Sequence, residues 1–175
     1  MISITLSVGD VVASREPVIL GTILGSCVSV CLYDEQSSIG GMNHFLLPGM
    51  SKGVKNLLYC GPDSIKRLVD KVQNMGADVR NIRAKVFGGG RVIKEFSEEF
   101  NIGQKNVMTA KEILSNYGIP IIREFTCPDY GIKLIFHTAT GRAFVKQLYD
   151  GDLRSWGEKS TLPCSVLNLQ ARGPC

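Results

Sequence analysis

The sequence predicts an α/β fold in which two stacked, mostly antiparallel β-sheets are flanked by helices in a single domain. Two observations support this prediction. Strand-like segments cluster at both ends of the 175-residue chain, and two amphipathic helical segments alternate with strands in its middle. The hydrophobic content of 44% is typical of an ordered globular protein. We expect the domain to span residues 1–149 and the polar segment 150–175 to be a C-terminal extension.

The first third of the chain predicts four strands. In the first, apolar residues alternate with polar or small ones, as in a half-buried strand. These apolar residues are Ile2, Ile4, Leu6 and Val8. An apolar run over residues 17–24 predicts the second strand, which ends at a Gly-Ser-Cys turn. Residues 28–33 and 39–46 predict a hairpin, because the polar segment 34–38 between them is rich in turn-forming residues.

The rest of the domain alternates helices and strands before a final hairpin. Pro62 suits the first turn of a helix over residues 62–75, and Gly76 suits the position past its end. A second helix is predicted over residues 104–117, where apolar residues recur at helical spacing. Strands are predicted over residues 81–87, 119–125, 131–136 and 142–148. Three glycines at 88–90 follow the first of these strands and predict a turn at which backbones approach closely.

The predicted hairpin at 28–46 brings a cysteine and a histidine together. If Tyr33 pairs with Ser38, the residue numbers of every antiparallel pair in the hairpin sum to 71. Cys27 then lies directly opposite His44. Directly opposed residues have Cβ atoms roughly 4.5–5.5 Å apart. A slip of one residue would place the two side chains on opposite faces of the sheet.

A Cys–His pair at that distance favours nucleophilic catalysis. The thiolate is the nucleophile, a neighbouring imidazolium lowers the pKa of the thiol, and a neutral imidazole acts as a base. Gly25 and Ser26 place little bulk before the sulfur, and their backbone N–H groups could point at a developing oxyanion.

The base also needs a third group that orients its ring. Thr22 and Asn43 are both close in sequence, and we favour Thr22 because it lies on the strand that leads into the turn.

A purely structural interpretation of the pair stays open at the level of pattern. A buried cysteine in a valine-rich strand is most often a small hydrophobic residue, and a histidine between Asn and Phe is often a hydrogen-bonded core residue. Cys31 serves as an internal comparison, because it has the same facing as Cys27 but pairs with Gly40 rather than with a histidine. We interpret Cys31 as a core residue, and the chain's other histidine, His137, as structural or solvated.

Six segments, in order along the chain, resemble the CheD family of chemoreceptor glutamine deamidases. They are residues 25–28 (GSCV), 31–34 (CLYD), 41–48 (GMNHFLLP), 84–89 (AKVFGG), 101–106 (NIGQKN) and 140–142 (TGR). The resemblance runs from about residue 4 to about residue 149. It implies a similar α/β sandwich.

The resemblance also implies roles for three residues. Cys27 is then the nucleophile, His44 is the general base, and a threonine before the Gly-Ser-Cys turn orients the base. Some members of the family carry that threonine six residues before the cysteine, where this chain has Gly21. The nearest threonine here is Thr22, so the orienting hydroxyl is either that of Thr22 or that of Ser26.

The implied activity is deamidation of glutamine to glutamate on methyl-accepting chemotaxis receptors, in their cytoplasmic helical region. Glutamyl methyl esters present a similar carbonyl, so ester hydrolysis is a related expectation. This chemistry needs no metal and no organic cofactor. The main alternative is a binding module that stimulates a CheC-type response-regulator phosphatase. A peptidase is a third option, because it would use the same pair of residues.

Composition argues against several other classes of function. The net charge of +4 is spread along the chain without a dense basic block, which gives little support for nucleic-acid binding. No apolar run is long enough for membrane insertion, and the N-terminus does not resemble a signal peptide, so we expect a cytoplasmic protein. Its six cysteines are therefore expected to be reduced, and they lack the paired spacing of a zinc site.

Overall fold

The computed structural model describes residues 1–50, 53–91 and 101–149. The predicted C-terminal extension lies outside the described residues. The strands are β1 (Ile2–Thr5), β2 (Val11–Ser14), β3 (Val18–Leu24), β4 (Val28–Asp34), β5 (Ile39–Asn43), β6 (Ile82–Gly88), β7 (Ile121–Thr126), β8 (Ile132–His137) and β9 (Ala143–Gln147). The helices are α1 (Gly61–Asn74) and α2 (Ile102–Asn116), and a short 3-10 helix spans Leu57–Tyr59.

The strands form two sheets, as the sequence predicts. One has four strands in the order β1-β3-β8-β9, and the other has five in the order β2-β5-β4-β6-β7. Two neighbouring pairs are parallel, β1 with β3 and β6 with β7, and the other pairs are antiparallel. The prediction of stacked, mostly antiparallel sheets is therefore confirmed.

The two helices cover one face of the five-stranded sheet, and the four-stranded sheet covers the other. Helix α1 packs on β2 and β5, and α2 packs on β4 and β6. Successive side chains of β4 point alternately toward the helices and toward the four-stranded sheet. Val30 belongs to the core under the helices, whereas Cys31 belongs to the core between the sheets, together with Met42 and Phe87.

The helices begin and end close to where the sequence predicts. Pro62 lies in the first turn of α1, and Gly76, just past its end, has a φ of +105° that suits glycine. In α2, the Asn101 side chain accepts a hydrogen bond from the Gln104 backbone N–H and so caps the first turn. Within the described residues, neither helix is both long and apolar enough to span a membrane.

The N-terminal strands differ from the prediction. Strand β1 is exposed along its whole length rather than half-buried, and Ile2 keeps 65% of its surface. It lies at the edge of the four-stranded sheet and pairs with β3 alone. Strand β2 was not predicted, because Val11, Val12 and Ala13 are consecutive and give no two-residue alternation.

Candidate active site

The register of the β4–β5 hairpin differs from the predicted one by two residues. Asp34 pairs with Ile39 rather than Tyr33 with Ser38, and Cys31 pairs with Met42 rather than with Gly40. In this register Cys27 and His44 are diagonal neighbours rather than directly opposed residues. A shift of two residues keeps both side chains on the same face of the sheet, because the side-chain period of a strand is two.

The hairpin ladder opens beside His44. Val28 bridges Phe45 on one side of the opening, and regular pairing resumes at Cys31. Between these two pairs, hydrogen bonds from side chains to the backbone replace backbone–backbone hydrogen bonds. The Asn43 Oδ1 accepts from the Val30 N–H at 2.7 Å, and the Ser29 hydroxyl donates to the Asn43 carbonyl at 2.6 Å.

This opening is anchored to helix α1. The Asn43 Nδ2 donates to the Ser64 hydroxyl at 2.9 Å, and both side chains are fully buried. Buried polar groups that are hydrogen-bonded in this way hold a fixed geometry, because breaking one bond leaves a desolvated partner. The end of β5, directly before His44, is thus fixed against both β4 and the helix layer.

The His44 ring is joined to Thr22 across the two sheets. Thr22 lies on β3 of the four-stranded sheet, and its Oγ1 is 2.8 Å from the His44 Nδ1. The same hydroxyl donates to the Leu6 carbonyl at 2.8 Å. A hydroxyl has one proton, so when Thr22 donates it to Leu6 the oxygen can only accept from His44. The geometry therefore favours the tautomer with a proton on Nδ1 and a free lone pair on Nε2.

The free nitrogen of His44 is buried. His44 is 5% exposed, and its Nε2 makes no hydrogen bond to any described residue. The backbone of His44 is held by the turn that precedes β2, because its N–H donates to the Asp10 carbonyl and its own carbonyl accepts from the Gly9 N–H. A buried nitrogen with a free lone pair is suited to take a proton from a neighbouring group.

The turn that carries Cys27 is held by the triple-glycine segment. The Gly90 N–H donates to the Gly25 carbonyl at 2.7 Å, and the Gly89 N–H donates to the Cys27 carbonyl at 2.8 Å. Gly88 has a φ of +99°, and a Cβ there would overlap the Cys27 carbonyl oxygen. The predicted close approach at 88–90 is therefore present, and it packs directly against the candidate nucleophile.

Burial favours the neutral forms of both candidate groups. It raises the pKa of the Cys27 thiol, and the residue's own backbone N–H opposes this shift more weakly. Burial also lowers the pKa of His44, against smaller opposing effects of the Leu6 carbonyl and the Asp10 charge. Both shifts favour a neutral thiol and a neutral imidazole at rest over a thiolate–imidazolium pair.

The other described cysteines and the second histidine occupy different environments. Cys31 is 1% exposed in the core between the sheets, where burial strongly raises the pKa of its thiol. Cys60 is also a buried free thiol. His137 ends β8 and packs edge-on against Phe144, with 5.5 Å between the ring centres. The interpretations of Cys31 as core and His137 as structural are consistent with these positions.

Sequence reasoning missed one polar residue beside the site. Asn106 on α2 is fully buried, and its Nδ2 donates to the Ser26 carbonyl at 3.0 Å and to the Leu46 carbonyl at 2.8 Å. A signal was present, because an asparagine interrupts the buried helix stripe formed by Gly103, Val107 and Ala110. A polar residue within an apolar stripe indicates a specific hydrogen-bonding task.

Comparison with known proteins agrees with the resemblance. A family model described as "CheD chemotactic sensory transduction" matches residues 46–147, a range that begins just after His44. A protein of Anaeromyxobacter dehalogenans named "Probable chemoreceptor glutamine deamidase CheD 1" is 40% identical over 143 residues, which cover 82% of this chain and 83% of the relative.

Two further relatives carry the name "Probable chemoreceptor glutamine deamidase CheD". That of Rhodospirillum rubrum is 38% identical over 82% of this chain and 81% of its own length. That of Rhizobium meliloti is 40% identical over 75% of this chain and 72% of its own. Among solved structures, a Bacillus licheniformis hypothetical protein, YfiH, matches with a TM-score of 0.45 and 14% identity over 69% of this chain and 51% of its own.

Proposed function

Because this chain belongs to the CheD family, we propose that it is a chemoreceptor glutamine deamidase in which Cys27 is the nucleophile and His44 the base. One observation carries the assignment of roles: the Thr22–His44 hydrogen bond leaves the buried Nε2 of His44 free, in a segment adjoining Cys27. The substrate is a glutamine side chain on a methyl-accepting chemotaxis receptor, in its cytoplasmic helical region. The enzyme accordingly acts in the cytoplasm.

The first half of the reaction forms a thioester. The His44 Nε2 takes the proton of the Cys27 thiol as the sulfur attacks the carbonyl carbon of the carboxamide. The C–N bond then breaks, and the imidazolium returns the proton to the leaving nitrogen, which departs as ammonia. A neutral pair at rest suits this sequence, because one shared proton serves both the attack and the departure of the leaving group.

The second half hydrolyses the thioester. The His44 Nε2 removes a proton from water, the resulting hydroxide attacks the acyl carbon, and the thiol of Cys27 leaves with that proton restored. The products are glutamate on the receptor and the free enzyme. The Thr22 hydroxyl oxygen accepts a hydrogen bond from the Nδ1–H throughout, which keeps Nε2 as the reacting nitrogen.

The turn at Gly25 and Ser26 is our candidate for stabilising the oxyanion. A peptide unit is planar, and its N–H points away from its C=O. The Gly90 bond to the Gly25 carbonyl therefore fixes the direction of the Ser26 N–H, and the Asn106 bond to the Ser26 carbonyl fixes that of the Cys27 N–H. Donors that are oriented before the reaction stabilise a developing charge without reorganising.

Two related activities remain within the proposal. A glutamyl methyl ester offers the same carbonyl with a better leaving group, so the same residues would hydrolyse it. Binding to a CheC-type phosphatase would be a separate role, and a complex that survives Cys27→Ala would show that binding does not require the nucleophile.

The test of function is mass spectrometry of a receptor fragment incubated with the full chain. A deamidase produces ammonia and raises the fragment's mass by the difference between NH₂ and OH at a glutamine. Cleavage of the fragment would instead indicate a peptidase. An unchanged fragment that stays bound would indicate a binding module, and either result would overturn the proposal.

A further inference from the structure

Asn106 links the two chain segments that carry the candidate nucleophile and base. Ser26 is one peptide before Cys27, and Leu46 is two residues after His44. The Asn106 Nδ2 donates to the carbonyls of both, at 3.0 Å and 2.8 Å. Asn106 is fully buried, and the two residues that accept its bonds are partly buried.

The link lies where the β4–β5 hairpin divides. Val28 and Phe45 still exchange backbone hydrogen bonds, at 3.0 Å each. Beyond this pair the segments separate: the Leu46 N–H turns to the Tyr59 carbonyl, and the Ser26 chain joins β3. The next pair in this register would be Cys27 with Leu46, and there the Asn106 side chain spans the gap that the backbone leaves.

The donors of Asn106, and not its acceptor, hold the carboxamide in place. Its Oδ1 is buried and makes no hydrogen bond to a described residue. A buried acceptor without a partner contributes nothing that offsets its desolvation. The contacts that orient this carboxamide are therefore its two N–H bonds to the Ser26 and Leu46 carbonyls.

We propose that Asn106 is a positioning residue that holds the turn before Cys27 against the segment that follows β5 and carries His44. It thereby sets the geometry of proton transfer between the Cys27 thiol and the His44 imidazole. The inference rests on the proposed function for its catalytic consequence. Its geometric content is independent, because the reactivity of the Cys27 thiol toward a small alkylating agent requires no receptor.

The experiment compares three full-length variants. Asn106→Leu keeps the side-chain volume and removes both donors, and Asn106→Asp keeps the shape and the Oδ1 acceptor. Thr138→Val is the matched structural control. Thr138 is also fully buried and also ties two segments, through bonds to the Val18 N–H at 2.9 Å and the Glu16 carbonyl at 2.8 Å, but it adjoins the start of β3, away from the Cys27 turn.

The measurements are the thermal midpoint, the rate of Cys27 alkylation by iodoacetamide resolved by peptide mass spectrometry, and kcat and KM for deamidation. All rates are taken at a temperature at which each variant is folded. We expect Asn106→Leu to lower both the alkylation rate and kcat at least tenfold with little change in KM. Thr138→Val should lower the midpoint while leaving the alkylation rate and kcat within twofold.

The Asn106→Asp variant adds a pH signature. A carboxyl group held between two carbonyl oxygens is protonated more readily than usual, and only its protonated form can donate a hydrogen bond. Its alkylation rate relative to wild type should therefore fall as the pH rises, whereas the relative rate of Asn106→Leu should not. This variant also provides the test if Asn106→Leu fails to fold.

The inference is overturned if folded Asn106 variants keep alkylation and kcat within twofold of wild type, or if Thr138→Val loses as much of both. A wild-type enzyme that alkylates in a His44-dependent way but deamidates nothing would contradict the proposed function alone. In that case the alkylation rates still decide the role of Asn106.

Discussion

At the scale of single residues, the hydrogen bond between Thr22 and the His44 Nδ1 favours the tautomer that leaves Nε2 with a free lone pair. The hydroxyl lies 2.8 Å from both the His44 Nδ1 and the Leu6 carbonyl oxygen. It donates its one proton to Leu6, and a lone pair of its oxygen accepts from Nδ1. A ring that lost this partner could rotate or change tautomer, and Nε2 would no longer be reserved for the thiol.

We therefore expect Thr22→Val to lower kcat at least tenfold, which corresponds to about 1.4 kcal/mol in the barrier. The substitution keeps the β-branched shape and removes the hydrogen bond to His44. The measurement is the deamidation rate of the folded variant, with KM determined in the same series.

Ser26→Ala is the control, because Ser26 is the other hydroxyl beside the turn. The hydroxyl that contacts the His44 ring is that of Thr22, so Ser26→Ala should keep most of the activity. Full activity in Thr22→Val together with a large loss in Ser26→Ala would move the orienting role to Ser26.

The pH profile follows from the burial of the pair. Protonating His44 removes the base, and its pKa lies below the ordinary 6.5, so kcat/KM should stay high below that pH and decline only in more acidic solution. Deprotonation of the Cys27 thiol removes the proton that the pair shares. Because burial raises the pKa of this thiol above its ordinary 9.0, the rate should decline only above pH 9.0.

Asp10→Asn provides a directional check on this profile. The Asp10 charge raises the pKa of His44, so removing it should move the acid limb further toward low pH. An acid limb centred above pH 6.5 in the wild-type enzyme would contradict the neutral resting pair.

At the scale of elements, the glycine turn after β6 forms the support of the Cys27 turn. We expect Gly88→Ala to destabilise the fold by about 2–5 kcal/mol. Its φ of +99° disfavours a side chain by about 1–2 kcal/mol, and the added Cβ would overlap the Cys27 carbonyl, which adds about 1–3 kcal/mol. Urea unfolding measures the free energy.

Gly118→Ala separates these two contributions. Gly118 also has a positive φ, +68°, but a Cβ there meets no atom within 4 Å. This variant should lose about 1–2 kcal/mol, for backbone strain alone. Equal losses in the two variants would contradict the close contact between Gly88 and Cys27.

The sequence predicts an element well where its apolar periodicity agrees with the residues that typically begin and end such an element. Helix α1 combines an apolar stripe with Pro62 and Gly76, and its bounds were predicted to within one residue. The hairpin register was harder, because it depends on the conformation of the loop. Pairing ends at Asp34 and Ile39. Ser38, in the loop, has a φ of +55°, which cannot be predicted from a serine at that position.

The same reasoning explains what could be predicted of the site. The common facing of Cys27 and His44 survives a two-residue error in register, because only the parity of the shift matters. The backbone hydrogen-bond partners of Asn43 and Asn106 could not be predicted, because they belong to segments that come together only in the folded chain.

At the scale of the whole molecule, the candidate site depends on the stacking of the two sheets. Thr22 comes from the four-stranded sheet, whereas Cys27 and His44 come from the five-stranded sheet and its extensions. The apolar core between the sheets, which includes Leu20, Leu24 and Phe136, fixes their separation. The helices on the opposite face supply two buried side chains to these segments. The Ser64 hydroxyl of α1 accepts a hydrogen bond from Asn43, and the Asn106 amide of α2 donates one to the Ser26 carbonyl.

The most direct test of the account compares Cys27→Ala with Cys31→Ala in the receptor deamidation assay, with both variants shown to be folded. The account predicts that Cys27→Ala releases no ammonia and leaves the receptor's mass unchanged. It predicts that Cys31→Ala, which loses only a buried core side chain, deamidates within a few-fold of wild type. Deamidation by folded Cys27→Ala, or its loss in folded Cys31→Ala, would contradict the assignment of Cys27 as the nucleophile.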